Sequence, residues 1–455
     1  MNGHEPTIVS SVPSQLSNPQ SRRLPQSDIP NPLAQRLASL NGLLWAIGSG
    51  LLGSQLVTYL AQEFYVERMG VSVGLILAAP HFVGVLRLVA PSMIGTVADR
   101  KTFCIGCFIA SGIVLSGIPL LAACTKTLPA SAGMTALVVL WCSYNLLEYL
   151  GLVALWSWLA DLAPQDVRGA FLGRRESWMA AGQAAAMLVS AGLIYLWERS
   201  HPEQPKGLGY AVSAGIGAFF ILSAAIPMVA IPAADARPSG QFIVSPNVFA
   251  PLGDWSFLGL LIAGVWFSFT NGLVLTPQNL FPIRVLALSL PFMLCLRVGL
   301  RCGQMPIAPG IGKLVDKIGN RWVMAMSLVL VAMGPLFYCI ANRESYGWII
   351  VAWACWIGWV GYNVGLPNLL LKIAPRAANS AYVALYYATI GLAHGGGSLL
   401  GGLLFDRCGR MTFKLSLGYY ACQLNYYQLA FLCGTLAYLI SAGLIIALVR
   451  EPRGE

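Results

Sequence analysis

The sequence predicts an all-α integral membrane protein: twelve transmembrane helices arranged as two pseudo-symmetric six-helix bundles. Three observations predict this class. Of 455 residues, 57% are hydrophobic and 10% charged, whereas soluble domains carry about a quarter charged residues. The apolar residues gather in runs of roughly twenty, long enough to cross ~30 Å of hydrocarbon as helices. The longest polar interruption, residues 232–254, is rich in Pro and Gly and leaves six such runs on either side.

Taken in order, residues 1–37 form a polar, Pro- and Ser-rich tail that cannot bury enough apolar surface to offset its ordering entropy, and a disordered cytoplasmic segment is expected. Its first apolar stretch begins only near Leu37, so no cleaved leader is expected and the first span stays in the mature chain. Apolar runs between Pro, Gly and charged breaks then place spans at 39–62, 71–95, 103–124, 134–160, 171–197 and 208–231. Together residues 38–231 make the N-terminal bundle, and 232–254 make a cytoplasmic linker. The second set lies at 255–278, 286–309, 322–341, 347–372, 380–404 and 427–449, giving a C-terminal bundle over 255–450 and a short cytoplasmic tail, 451–455.

The net charge of +10 does not indicate a nucleic-acid surface, because the Lys and Arg are scattered singly and in pairs over short connections. Placed with both termini in the cytoplasm of a cell (inner) membrane, most of them fall on the inner side, as the positive-inside rule requires. The last outer connection, with Arg407, Arg410 and Lys414, runs against the rule. Most of the eleven cysteines sit in apolar runs and read as small hydrophobes, and Cys104-x-x-Cys107 has no second pair to make a metal site. Cys408 and Cys422 lie outside the spans, either free or joined in a disulfide.

The two halves repeat each other. Gly95-Thr-Val-Ala-Asp99-Arg100 follows the second span, and Gly312-Lys-Leu-Val-Asp316-Lys317 follows the eighth. Trp141-Cys-Ser-Tyr144-Asn145 lies in the fourth span and Trp359-Val-Gly-Tyr362-Asn363 in the tenth, at the same spacing to within one residue. Two motifs recurring at one offset indicate a duplicated six-helix unit. With Pro164-Gln-Asp-Val-Arg168-Gly169 after the fourth span, these motifs resemble the major facilitator superfamily over about residues 38–450. The resemblance implies a central cavity lined by helices 1, 4, 7 and 10, with halves that rock about it. It also implies a conformational latch at Gly95, Asp99, Arg100, Gly312, Asp316 and Arg168. In physical terms, the glycines permit close helix packing and Asp99 meets a helix N-terminus or an Arg only while the cytoplasmic ends are shut. The other reading makes Asp99 and Arg100 ordinary interfacial charges.

A charge at the bilayer centre costs roughly 2.5–3.5 kcal/mol on insertion scales, so each one needs a partner or a wet cavity. Glu148 lies mid-span with Trp141, Tyr144 and Asn145 on the same helical face, a stripe expected to face the cavity. Arg297 and Arg301 share a face of the eighth span, and Arg87 lies lower in the second. Glu148 is either the site that loads and releases a proton as access alternates, with the arginines contacting substrate, or one member of a static ion pair between the halves. Gln55 and Tyr59 in the first span, Asn271 in the seventh, and Trp356, Trp359, Tyr362 and Asn363 in the tenth would add amides, hydroxyls and rings suited to a sugar-like or amphipathic solute. For each, helix packing is the alternative. His81 and His394 read as lone intramembrane histidines, either in proton transfer or packed and hydrogen-bonded.

No phosphate-binding loop or H-E-x-x-H motif occurs, so neither ATP drive nor a membrane enzyme is expected, and no cofactor or metal is implied. The expectation is a secondary active transporter of a small organic solute working by alternating access, with the proton as candidate coupling ion and the bilayer and solute as partners of a monomer. The alternative is a non-transporting receptor or assembly scaffold on the same fold.

Overall fold

The computed structural model describes residues 32–64, 69–88, 100–162, 165–231, 249–374, 379–417 and 420–451. In the first half, α1 runs over Pro32–Leu51 and resumes as Ser54–Glu63, α2 is Met69–Val83 ending in a 3-10 turn at Gly84–Leu88, and α3 is Arg100–Leu115 continued by Gly117–Ala123. The half is completed by α4 (Ala130–Leu162), α5 (Gln165–Ser200) and α6 (Lys206–Ser223 with Ala225–Ala230). In the second half, α7 is Trp255–Arg284, α8 Leu290–Ile318 and α9 Asn320–Ile340. Then α10 is Trp348–Cys355, a 3-10 turn at Trp356–Gly358 and Trp359–Ile373, followed by α11 (Asn379–Cys408) and α12 (Tyr426–Leu448). Eleven of these helices are long and apolar enough to cross a membrane among the described residues, and α8, with Arg297 and Arg301, is the exception.

Each half is a bundle: α1 packs on α5 and α6, and α3 on α4, while α7 packs on α11 and α12, and α9 on α10 and α12. The halves meet along α2 with α11 and α5 with α8. The first of these seams is built from small residues, since lipid supplies no hydrophobic drive and close backbone approach must substitute for it. A methyl on Gly74 would lie 2.6 Å from the Ser398 carbonyl oxygen, and one on Gly402 would strike the Gly70 carbonyl, so no larger side chain fits.

Local chemistry sets the helix ends. Asp254 caps α7 by accepting from the Ser256 amide (2.9 Å), and Asn425 and Gln428 form a reciprocal capping box that starts α12. Gly319, with φ +91°, allows α8 to turn directly into α9. Past the end of α12, Glu451 holds the start of α9 through Asn320 Nδ2 (2.6 Å) and also accepts from Lys372 Nζ at the end of α10 (3.0 Å).

Several sequence expectations need correction. The first helix begins at Pro32, inside the segment expected to be disordered, because Ala34 and Ala38 are buried against neighbouring helices. Helix α5 begins at Gln165, six residues before the expected span, and Arg175 is buried against α1, with Nε donating to the Ala38 carbonyl (3.3 Å). Gly312 and Asp316 lie within α8, and no described residue lies within 4 Å of where a Gly312 methyl would sit. The all-α fold carries one short hairpin among the described residues, Thr412–Leu417 (β1) paired antiparallel with Tyr420–Asn425 (β2) before α12. Cys408 is free. Gly95 and Asp99 lie outside the described residues, as do the side chains of Arg87, Arg100, Arg168 and Asp316.

Candidate functional site

A cavity of about 290 Å³ opens between the halves, walled by α5 on one side and α8 and α10 on the other. Helix α8 supplies Arg297, Arg301 and Gln304, all on one face because they are spaced by three, four and seven residues. Helix α10 supplies Trp353, Trp356, Trp359 and Asn363, and α5 supplies Gln183 and Met187. The tryptophan wall is braced from behind, with Trp353 Nε1 donating to the Tyr338 hydroxyl (3.2 Å) and Trp356 packing on the Tyr338 ring at 5.4 Å. A small pocket continues from Arg297 to Gln55 and the break in α1 at Leu52–Gly53. The breaks in α1 and α10 therefore border the space, as in transporters whose unwound segments line a site.

Among the described residues Arg297 and Arg301 have no hydrogen-bond or ion-pair partner, and no acidic side chain lines the cavity. Glu148 does not supply their counter-charge. It is buried in the first half, beside the Tyr144 side chain one turn earlier and the Trp45 indole of α1. In this conformation the ion-pair reading of Glu148 has no pair.

Other expected cavity residues turn elsewhere. Trp141 is buried, with Nε1 donating to the Ile76 carbonyl of α2 (2.9 Å), and Asn145 Nδ2 donates to the Trp141 carbonyl (2.7 Å), so this part of the stripe knits its own bundle. Asn271 accepts from the Tyr438 hydroxyl of α12 (2.8 Å), and Tyr362 packs on Phe267 at 4.9 Å. The two histidines are not alone: the rings of His81 on α2 and His394 on α11 lie 3.9 Å apart across the seam between halves. Gln183, Gln304 and Trp353 escaped sequence reading, although Gln304 shares the Arg297 face and was recognisable from spacing.

At the end of the bundle far from the chain termini the halves are shut. The Asp406 carboxylate at the end of α11 accepts from the Gly70 and Val71 amides at the start of α2 (2.6 and 2.9 Å), capping a helix of the other half where its dipole is positive. Beside it the Tyr59 hydroxyl donates to the Leu288 carbonyl (2.9 Å) and Arg284 Nε donates to Gln62 Oε1 (3.2 Å). At the opposite end, Lys101 Nζ donates to the Ile231 carbonyl (2.6 Å) within the first half, and Glu451 binds within the second. Asp406 was missed, yet Gly402-Leu-Leu-Phe-Asp406-Arg407 repeats the G-x-x-x-D-[RK] pattern of Gly95 and Gly312.

Two six-helix bundles with a polar cavity between them and a shut seam at one end define the major facilitator fold, and the chain has it. Among solved structures it is similar to the nucleoside transporter NupG (TM-score 0.61, 15% identity, covering 92% of this chain and 99% of that one). It is also similar to the xylose transporter XylE from E. coli in an inward-open conformation (TM-score 0.64, 13% identity, covering 92% and 97%). A third is the bacterial homolog of the human lysosomal transporter Spinster, inward-facing and occupied (TM-score 0.64, 12% identity, covering 92% and 96%). At these identities the likeness is one of fold. No protein-family model and no curated protein matches the chain.

Proposed function

We propose that this chain is a secondary active transporter that carries a small organic solute across the cell membrane by alternating access. The observation that carries the proposal is a cavity bearing two arginines between two bundles that are joined at one end by contacts between backbone and side chain. Such contacts exist only while that end is closed, so they mark one of two states of a rocking pair. The names of the similar structures, among them a D-xylose-proton symporter, support transport of a small solute with the proton as coupling ion.

In this reading the distribution of Lys and Arg places both termini in the cytoplasm, so the shut end faces outward. Asp406 is then the outer latch, and Asp99 with Arg100 and Arg168 is its inner counterpart, engaged in the opposite state. Arg297, Arg301, Trp359 and Asn363 contact solute in the cavity, with Gln55 at its inner recess. Glu148 holds the coupling proton: protonation removes the buried charge, and the Tyr144 hydroxyl stabilises the carboxylate when the proton leaves. The chain acts as a monomer.

Purified protein in liposomes tests this. Saturable counterflow of a solute, and its accumulation against a gradient under an imposed pH difference, are the expected results. Saturable binding with no flux in either assay would replace the transporter by the receptor reading.

A further inference from the structure

The arginines of the cavity stand together without a counter-charge. Arg297 and Arg301 lie one turn apart on α8, close enough for their like charges to repel, and neither has an ion pair or hydrogen bond among the described residues. Buried charges of a membrane protein are paired, or face a path along which a charge arrives. Here the described residues supply no such charge: none that line the cavity is Asp or Glu, and Glu148 is turned into the first half against Tyr144.

We infer that the solute is an organic anion, whose carboxylate or phosphate group is gripped by Arg297 and Arg301 while its flat body lies against Trp353, Trp356 and Trp359. The inference rests on the transporter reading for the use of the cavity, and it narrows the solute class. A neutral sugar would leave both guanidinium groups unpaired, and an organic cation would add a third positive charge. The planar guanidinium fork fits two acceptor oxygens at once, a match that an ammonium does not make. The aromatic wall covers an apolar ring, while Gln183, Gln304 and Asn363 offer amides to its substituents. At about 290 Å³ the space is at the low end of the ~300–1,000 Å³ typical of small-molecule pockets, which favours a single-ring acid over a larger conjugate.

Benzoate and phenyl phosphate, with neutral benzamide, xylose and uridine as counterparts and phosphatidylglycerol as the lipid control, are the probes. Their binding to the full-length protein in detergent is read by calorimetry and by tryptophan fluorescence, and their counterflow is read in phosphatidylcholine liposomes. The expected result is anion binding at least tenfold tighter than that of any neutral probe. Arg297→Gln and Arg301→Gln should each weaken it at least tenfold, with Arg297→Lys restoring only part. Arg301 is the more exposed of the two, and its variant carries the test should Arg297→Gln not fold. The proposal is overturned by neutral probes that bind as tightly as the anions, by anion affinity unchanged in both Gln variants, or by no binding of either anion. It is also overturned if only phosphatidylglycerol binds, which would make the site a lipid headgroup site. Anion binding without counterflow would keep this inference and remove the transport reading, whereas counterflow of xylose or uridine without anion binding would do the reverse.

Discussion

Replacing Asp406 with Asn removes a charge from the first turn of α2 while keeping the side chain's shape, and the structure sets the size of the effect. The carboxylate accepts two backbone amides, at 2.6 and 2.9 Å, from a helix belonging to the other half. Hydrogen bonds to a charged group contribute about 1.5–3 kcal/mol each, and a neutral amide oxygen retains one bond worth about 1 kcal/mol. Loss of the charge–dipole attraction adds about 0.3–1 kcal/mol. At the low end of these ranges the net loss is about 2 kcal/mol, and it falls on the closed state alone, because the contact spans the halves. At 1.4 kcal/mol per tenfold change, that shifts the gate equilibrium about thirtyfold toward opening. Hydrogen–deuterium exchange on the unlabelled protein reads it: amides around residues 69–73 should exchange about thirtyfold faster in Asp406→Asn. The segment 284–290, held to α1 by Tyr59 and Gln62, should lose protection with them because the gate opens as one body. Faster exchange confined to the first turn of α2 would show a mere helix cap, and unchanged exchange would refute the latch altogether.

Glu148→Gln should abolish accumulation driven by a pH gradient while leaving solute exchange partly intact, and accumulation at the wild-type level would reject the coupling role. Glu451 gives a pH dependence of stability outside the membrane. Burial alone would raise its pKa, but hydrogen bonds from Lys372, Asn320 and the Arg321 amide outweigh it and hold the carboxyl below its ordinary 4.5. A folded value below the unfolded one contributes stability above the ordinary value and loses it as pH falls through the folded value. The stability difference between wild type and Glu451→Gln, read from thermal unfolding, should therefore be widest near neutrality, at about 1 kcal/mol given the exposure of Lys372, and close in acid. A gap that does not change with pH would remove the ionic part of this contact.

What was legible in the sequence is what hydrocarbon enforces. Apolar runs and their breaks located every span, since each backbone group in lipid must be satisfied by helix and the helix must reach across. Charges blurred the eighth: Lys313 and Lys317 read as a loop, yet α8 extends to Ile318, carrying them beyond the apolar stretch on its last turns. The site was legible where spacing decides direction, as for Arg297 and Arg301, and on α10, where Trp356, Trp359 and Asn363 were expected to line the cavity and do. Trp141 and Asn271 were placed in the cavity because a polar stripe on an apolar helix looks the same whether it faces water or a hydrogen-bonding neighbour. The Asp406 contact joins residues far apart in the chain, and Arg407 beside it had drawn attention only as an anomaly of charge topology.

The repeated W-x-x-Y-N motif shows how the halves came to differ. Trp141 and Asn145 are bonded inside the first half, whereas Trp359 and Asn363 line the cavity. Helix α4 runs unbroken through its copy, but α10 passes through the 3-10 turn Trp356–Gly358 just before its own. Three residues at 120° each instead of 100° rotate the remainder of the helix by about 60°, enough to carry a stripe from a neighbouring helix to open space. The acid and the cations are thereby divided between bodies, Glu148 on the first half and Arg297 on the second. If proton and solute are linked by movement of these bodies and not by contact, solute binding at fixed conformation should respond to Glu148→Gln and Arg297→Gln additively, within about 0.5 kcal/mol. Calorimetry on the double variant with benzoate, in a protein held closed by cross-linking the α2–α11 seam, measures that sum. A coupling well above this would mean that carboxylate and guanidinium meet in some state, and would restore the ion pair that this conformation lacks.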